Sequence, residues 1–325
     1  VRYEPEEIVL APGVWPLVHH LGVALRRLLG RAPRVFVATP CYGVLPPTWV
    51  AAGCEVELAP LSALQSRRGR EVPDVVVVSQ PANPSGHFLS HEELVGLAAY
   101  VVEQRCLLVS DEIFGLVNLT NPTAETVHSP VGLEAAVPGI GARTVVLGGL
   151  SKEFAAGGLR VGWLVARDRA LLAALRESGP GVLHLATARA ASRLYAAHAR
   201  GPEGKLLYPE RHRVLRDFLT RMRRELREER ALLAEALPED GRAETVEAGG
   251  LFLAPRVTSW LGRELDGERL TVENLPALVY AHTHVVVNGG AWCGDPERIR
   301  VVFSIPRAKL EAARRRLLSF SARLR

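Results

Sequence analysis

Short apolar runs alternate with segments of helical periodicity through the first half of the chain. Most positions in each run are apolar, and many of the residues are β-branched. Such runs predict strands that are buried on both faces, and their alternation with helices predicts an α/β fold with a mostly parallel sheet flanked by helices. The runs are residues 34–39, 55–58, 74–79, 106–110 and 144–147.

The pattern changes near residue 168. Residues 168–237 follow helical spacing throughout, and their last part mixes arginine and glutamate at i, i+4 spacing, which is typical of a long solvent-exposed helix. Three strand-like runs and one helix follow, and they predict a small C-terminal α+β domain. We therefore predict a large domain over residues 1–205 and an interdomain helix with a small domain over residues 206–325. The late elements are the strands 249–253, 284–288 and 299–304 and the helix 309–324.

Cysteine and histidine positions argue against disulfide or metal chemistry. The four cysteines lie far apart without a CxxC pair, so we interpret them as free thiols in a reducing compartment. His282 and His284 alternate along a predicted strand, but no third ligand is nearby. We interpret both histidines as solvent-facing and expect no metal site.

Composition narrows the remaining classes of function. The net charge of +5 is small. The arginines of the chain are scattered or confined to one mixed-charge helix, so nucleic-acid binding is not indicated. No apolar stretch reaches the length that spans a bilayer, and the first residues do not resemble a signal peptide. We expect a cytoplasmic protein without a membrane partner.

Polar residues follow the predicted strands at the edge where α/β proteins bind ligands. Tyr42, Asn83, Asp111 and Lys152 each come shortly after a buried run. A lysine amine can form a Schiff base with an aldehyde, and an aspartate can keep a ring nitrogen protonated. A tyrosine can stack on that ring, and an asparagine can hydrogen-bond its phenolic oxygen. Together these residues predict a pocket for pyridoxal 5'-phosphate.

A phosphate site is predicted at the start of the first helix, residues 14–30. This helix follows Gly13, so the backbone N–H groups of Val14 and Trp15 are free to bind an anion. Arg160, at the end of the glycine-rich loop after Lys152, could hold the same phosphate. The alternative is an ordinary helix start without a ligand.

The motifs around these residues resemble those of class I/II aminotransferases, which are fold-type I pyridoxal-phosphate enzymes. Order and spacing agree with the family over residues 5–305. The resemblance implies that family's large domain, with a smaller C-terminal domain, and a homodimer. The matching motifs are Pro40-Cys41-Tyr42, Asn83-Pro84-Ser85-Gly86, Asp111-Glu112, Ser151-Lys152, Arg160-Val161-Gly162 and Arg300 before Phe303-Ser304.

The resemblance also implies a role for each matching residue. Lys152 would form the Schiff base and act as general base, and Asp111 would hold the pyridinium nitrogen protonated. Arg300 would bind the α-carboxylate of an amino acid through its planar fork. The substrates would be an amino acid and, for transamination, a 2-oxo acid. The residues implied to contact the cofactor are Gly13, Val14, Trp15, Tyr42, Asn83, Asp111, Phe114, Ser151, Lys152 and Arg160.

Phe114 departs from the family pattern, which usually has a tyrosine here. Losing that hydroxyl is expected to raise the pKa of the Schiff base. One interpretation is simple family drift, with Asn83 sufficing. The other is a specialised reaction, such as a cyclase, eliminase or oxidase acting on a basic amino acid, because capreomycidine synthase-like enzymes also resemble this chain at Phe114 and over residues 303–311.

The start of the sequence is a second departure. Family members carry a further N-terminal stretch, and we expect the arm that it contains to be absent here, since the cofactor-phosphate turn lies so close to Val1. Two hypotheses about the reaction therefore stand beside transamination. One is the specialised enzyme just described. The other is an aminotransferase-like sensor domain of a regulator, which would carry a DNA-binding domain before residue 1.

Overall fold

The computed structural model describes residues 3–67, 69–120, 129–201, 203–238 and 249–325. Its α-helices are α1 (Val14–Leu29), α2 (Leu45–Ala51), α3 (His91–Gln104), α4 (Leu150–Glu153), α5 (Arg169–Glu177), α6 (Leu185–Tyr195), α7 (Pro209–Ala234), α8 (Leu275–Thr283) and α9 (Arg307–Arg323). Its strands are β1 (Ile8–Ala11), β2 (Arg34–Thr39), β3 (Glu55–Pro60), β4 (Val75–Ser79), β5 (Leu107–Asp111), β6 (Thr144–Gly149), β7 (Gly162–Val165), β8 (Phe252–Leu253), β9 (Glu264–Leu265), β10 (Glu268–Arg269), β11 (Asn288–Gly289) and β12 (Ile299–Val302).

A seven-stranded sheet in the order β1-β7-β6-β5-β4-β2-β3 forms the centre of the larger part. Five strands of this sheet, β3, β2, β4, β5 and β6 in sheet order, run parallel to one another, as predicted. Two further strands extend the sheet: β7 runs antiparallel to β6, and β1 runs antiparallel to β7. The sequence analysis did not identify either strand, because each is only four residues long.

Helices cover both faces of this sheet, which explains the apolar runs. In β4, Val75 and Val77 pack with α1 on one face, while Val76 and Val78 pack with α3 on the other. Successive side chains of a strand point to opposite faces, so a strand buried on both faces needs apolar residues at every position. Ser90 caps α3, and Glu93 completes a capping box with it.

A second core consists of Phe114, Val117 and Leu119 together with residues after position 220, and it surrounds a three-stranded antiparallel sheet in the order β11-β12-β8. The long helix predicted at the end of the helical region is α7, and α9 matches the predicted final helix. The helical pattern does not run unbroken from residue 168, because Arg200 and Leu206 form an isolated antiparallel bridge before α7. The division into domains at residue 205 stays a prediction.

The strand predicted over residues 284–288 overlaps the observed strand β11 only at Asn288. α8 continues to Thr283, so His282 lies in its last helical turn, and His284 caps that helix in the left-handed conformation at φ 54°. The two histidines therefore do not alternate on a strand. His282 Nδ1 lies 3.8 Å from an Asp266 oxygen, and the described residues contain no cluster suited to a metal ion. No described helix has the length and apolarity to cross a membrane.

Candidate active site

The carboxyl-terminal edge of the parallel strands borders a cavity of about 590 Å³, and residues of the β11-β12-β8 sheet close its other side. Every residue that the sequence analysis assigned to a cofactor or substrate lines this cavity. The structure thus brings together side chains from positions 13 to 300. They are Gly13, Val14, Trp15, Tyr42, Asn83, Asp111, Phe114, Ser151, Lys152, Arg160 and Arg300.

Lys152 provides the amine of this cavity. It follows β6 and lies in the short helix α4, which holds it at the sheet edge. Burial lowers the pKa of Lys152, and the neighbouring cations Arg300 and Arg160 lower it further. The chain has three lysines; Lys205 is exposed beside Glu203 and Lys309 is exposed, so neither competes for this position.

Asp111 and Asn83 supply buried polar groups at the ends of neighbouring strands. An oxygen of Asp111 accepts a hydrogen bond from the backbone N–H of Ile113 at 3.2 Å, and burial raises the pKa of this carboxyl to about 6. Asn83 is also buried, and its Oδ1 has no hydrogen-bond partner among the described residues. Buried polar groups normally have partners, so the unpaired oxygen of Asn83 indicates a place for a polar ligand.

Gly13 and Arg160 form the opposite end of the cavity. Gly13 has a φ of 99°, a backbone conformation that favours glycine, and a Cβ there would lie 2.5 Å from Nη2 of Arg160. Arg160 Nη1 donates to the carbonyl of Gly157 at 3.2 Å, and no acidic side chain of the described chain pairs with Arg160. Val14 and Trp15 carry no hydroxyl. An anion here would therefore bind Arg160, the Ser151 hydroxyl and the first N–H groups of α1, which lack partners within the helix.

Arg300 is held between two aromatic rings and one amide. Its guanidinium carbon lies 4.3 Å from the ring centre of Trp292 and 4.7 Å from that of Phe252. Its Nε and Nη2 donate to Oδ1 of Asn288 at 3.1 and 2.8 Å. Since Asn288 is neutral and no described acid pairs with Arg300, the full positive charge remains available to a carboxylate.

Tyr42 lies where the loop after β2 meets the loop after β11. Its ring packs edge-on against Trp292 at a centroid distance of 5.3 Å. The backbones of the two loops also meet, because Cys41 N donates to the Cys293 carbonyl at 3.0 Å. A Cβ at Gly43 would lie 1.9 Å from the Trp292 carbonyl oxygen, so this contact also depends on a glycine.

Phe114 fills the position where the family pattern has a tyrosine. It is buried, its ring packs edge-on against Phe252 at 5.8 Å, and the Nζ atom of Lys152 lies 5.8 Å from its ring centre. No hydroxyl is present at this position to donate to a ligand. The hydrogen-bonding task would therefore fall to Asn83.

These residues fit pyridoxal phosphate. The orphaned Oδ1 of Asn83 marks a place for a polar ligand, and the Asn83 amide can be turned to donate to a phenolic oxygen. Asp111, the acidic side chain that lines the cavity, suits a protonated ring nitrogen. Arg160 with the start of α1 suits a phosphate, and Lys152 suits an aldehyde.

The sequence analysis did not assign Asn288, Phe252 or Ile113 to the site. Asn288 and Phe252 contact Arg300, and Ile113 lines the cavity beside Phe114. Asn288 pairs with Arg300 in the register of β11 and β12, which are two and four residues long. Strands this short show no clear hydrophobic periodicity, so the sequence did not indicate that Asn288 pairs with Arg300.

Comparison with known proteins identifies the family of this chain. The family model described as aminotransferase class I and II matches residues 1–317, so the chain belongs to that family. Its members are pyridoxal-phosphate enzymes. The fold is that of the aspartate aminotransferase from Rhizobium meliloti, with a TM-score of 0.78 at 20% identity over 100% of this chain and 78% of that chain.

Two curated relatives show how far the similarity extends along each chain. An aspartate aminotransferase of Streptomyces avermitilis is 26% identical over 234 residues, which are 71% of this chain and 52% of that protein. An aspartate aminotransferase of Geobacillus stearothermophilus is 24% identical over 335 residues, which are 98% of this chain and 77% of the relative. The chain thus spans about half the length of the Streptomyces relative.

Proposed function

We propose that the chain is a pyridoxal-phosphate-dependent aminotransferase that removes the amino group of an α-amino acid and passes it to a 2-oxo acid. The observation that carries this proposal is the cavity that combines Lys152, the buried Asp111, and two arginines, Arg160 and Arg300, that have no acidic partner among the described residues. When bound, pyridoxal phosphate supplies an aldehyde and an electron-accepting ring.

Lys152 would act as nucleophile and as proton acceptor. Its lowered pKa increases the fraction of neutral amine at physiological pH, and a neutral amine can attack an aldehyde or accept the Cα proton of a substrate. Arg300, fixed by Asn288 and two rings, would hold the α-carboxylate so that the Cα–H bond faces Lys152.

Asp111 would act as an electrostatic partner. Burial without a cation keeps its pKa near 6, whereas a protonated ring nitrogen beside it would stabilise the carboxylate. The proposed contacts of Asn83, Tyr42 and Phe114 orient the ring in the cavity. Arg160, Ser151 and the start of α1 would anchor the phosphate.

A single-turnover experiment tests the reaction. The purified protein loaded with pyridoxal phosphate is mixed with single amino acids from a panel that includes aspartate, phenylalanine, leucine and arginine. Loss of the visible band of the cofactor, growth of a near-ultraviolet band and release of one equivalent of 2-oxo acid would support transamination. Release of ammonia or a cyclised product without the near-ultraviolet band, from any donor, would contradict it and favour the specialised reactions.

A homodimer is the proposed assembly. Trp15, Val182 and Leu185 are exposed, and a Cβ built at Gly181 would lie 3.0 Å from Cδ of Pro12, so this apolar group lies beside the phosphate end of the cavity. Exposed apolar groups of this kind are typical of interfaces between subunits. Light scattering on the purified chain should give twice the monomer mass, and Val182→Glu should shift the protein toward monomer.

The four cysteines are free and buried, which suits the proposed cytoplasmic location.

A further inference from the structure

Glu153 is a buried acid next to the lysine of the cavity. It directly follows Lys152 in α4, yet its side chain belongs to a residue that is only 4% exposed, and it does not line the cavity. Adjacent residues of a helix point about 100° apart, so Lys152 can face the cavity while Glu153 points into the protein interior. Burying a carboxyl costs free energy that an apolar residue at this position would avoid.

The Glu153 carboxyl binds the backbone of the segment that follows β5. Its Oε1 accepts a hydrogen bond from the N–H of Leu116 at 3.2 Å. Leu116 lies shortly after Phe114, and the Nζ atom of Lys152 lies 5.8 Å from the ring centre of Phe114. The hydrogen bond therefore joins the helix that carries Lys152 to the segment that carries Phe114.

Leu116 also connects this contact to α7. Its carbonyl accepts a hydrogen bond from Nε of Arg223 at 2.6 Å, and Arg223 is buried. The segment after β5 is thus held from two sides, by Glu153 of α4 and by Arg223 of α7. Both contacts are formed within one chain, so they do not depend on a second subunit.

The surroundings of the Glu153 carboxyl favour its uncharged form. In the described part of the chain, the ionisable groups that act with it are Glu112, which follows β5, Tyr195 of α6 and Arg223 of α7. Burial raises the pKa of Glu153 to about 8, and the positive charge of Arg223 offsets only part of this effect. A protonated carboxyl places no negative charge beside Lys152. Glu153 can therefore hold α4 in place without raising the pKa of the lysine amine.

From these contacts we propose that Glu153 is a positioning residue for Lys152. By accepting the Leu116 N–H it fixes α4 against the segment after β5, and this holds the Lys152 amine beside the Phe114 ring. The inference rests on the proposed function, because it takes Lys152 as the group that accepts the Cα proton. A reacting group that is misplaced by about 1 Å can cost about a hundredfold in rate, so the contact acts on kcat more than on substrate binding.

Substitutions of Glu153 separate the hydrogen bond from the shape of the side chain. Glu153→Gln keeps an oxygen that can accept the Leu116 N–H, whereas Glu153→Met is similar in size and lacks the acceptor. Thr283→Val is the matched control, because buried Thr283 in α8 accepts the N–H of Val285 through Oγ1 at 3.0 Å and lies outside the cavity. If Glu153→Met does not fold, Glu153→Ala gives the same comparison.

Steady-state kinetics of the holoenzyme measure the effect on proton transfer. We expect kcat of Glu153→Met to fall at least about tenfold while KM for the donor changes less than about twofold, because Arg300 still binds the carboxylate. Glu153→Gln and Thr283→Val should keep kcat within about twofold of the wild type. A wild-type kcat in Glu153→Met, or an equal loss in Glu153→Gln or in Thr283→Val, would overturn the proposal.

Labelling of the cofactor-free protein gives a second readout that needs no turnover. The lysines are acetylated with acetic anhydride over a range of pH, and mass spectrometry of peptides follows Lys152. In Glu153→Met a loosened α4 exposes the amine to water, so the pH midpoint for Lys152 should rise by about half a unit or more, toward the ordinary pKa of lysine. Glu153→Gln and Thr283→Val should keep the wild-type midpoint. An unchanged midpoint in Glu153→Met would overturn the proposal.

The two readouts keep this inference distinct from the proposed function. A midpoint that rises only in Glu153→Met, in a protein whose wild type does not transaminate, would support the positioning of the amine and overturn the proposed function. A wild type that transaminates, with Glu153→Met equal to it in kcat and in midpoint, would support the proposed function and overturn the inference.

Discussion

Asn288 offers the sharpest test of how the carboxylate site is built. Its Oδ1 accepts two hydrogen bonds from Arg300, at 3.1 and 2.8 Å, and it is the only hydrogen-bonding side chain that contacts this guanidinium in the described chain. Asn288→Ala removes the acceptor and leaves Nε and Nη2 of Arg300 without a partner. Asn288→Asp keeps the acceptor but adds a negative charge where the substrate carboxylate needs a free cation.

The two variants should differ in magnitude. A hydrogen bond to a charged group contributes about 1.5–3 kcal/mol, and about 1.4 kcal/mol corresponds to a tenfold change in affinity. The stacking of Arg300 between Trp292 and Phe252 survives in Asn288→Ala, so we expect the loss to lie near about tenfold. In Asn288→Asp the new carboxylate forms an ion pair with Arg300 and competes with the substrate, so about a hundredfold loss is expected.

Propanoate binding by calorimetry and steady-state kinetics measure these losses. For Asn288→Ala, KM for the donor should rise while kcat changes little, because Asn288 positions Arg300 in the ground state and the transition state alike. Asn274→Ala, at the start of α8 and outside the cavity, serves as the asparagine control. If Asn288→Asp binds propanoate as tightly as the wild type, the argument that a neutral partner keeps Arg300 available is refuted.

Three further changes test other parts of the site. Phe114→Tyr restores a phenol that can donate to the ring oxygen of the cofactor, so the pH midpoint of the visible absorbance should fall by about one unit, measured by spectrophotometric titration; a higher midpoint would contradict this. Arg160→Ala should weaken cofactor retention about tenfold or more, because a phosphate loses its one guanidinium partner, as measured by dialysis followed by absorbance; unchanged retention would remove Arg160 from the phosphate site. Burial raises the pKa of Glu153 to about 8, above the value of about 4.3 in an unfolded chain, so its contribution to stability is complete below about pH 4 and is lost as the pH rises through 8. Glu153→Gln should therefore raise the Tm of the cofactor-free protein by several degrees at pH 9 and change it much less at pH 5; an equal shift at both pH values would refute the buried-acid explanation.

The large sheet was predictable because its strands are buried on both faces. The run that forms β4, four valines followed by a serine, has no polar face, and the helices beside it have clear periodicity. β1 and β7 were missed because they are short. The strand predicted at residues 284–288 starts too early, because the valines after α8 have high strand propensity, whereas the chain caps a helix at His284 and β11 begins only at Asn288.

Site residues that directly follow a buried strand could be predicted from the sequence. Contacts between residues that are distant in the sequence could not. Lys152 and Asp111 each follow a buried run, and parallel strands bring such positions to one edge. The contact of Asn288 with Arg300 depends on the register of β11 and β12. The contact of Trp292 with Tyr42 depends on two loops about 250 residues apart in sequence meeting in space.

The central claim is that Lys152 holds the cofactor. The most direct measurement is reduction of the protein with borohydride in the presence of pyridoxal phosphate, followed by mass spectrometry of its peptides. Because the chain has three lysines, the labelled site can be assigned without ambiguity. The account predicts one phosphopyridoxyl group on the peptide that contains Lys152, and none on that peptide in Lys152→Ala. Stoichiometric label on Lys205 or Lys309, or an unlabelled Lys152, would contradict it.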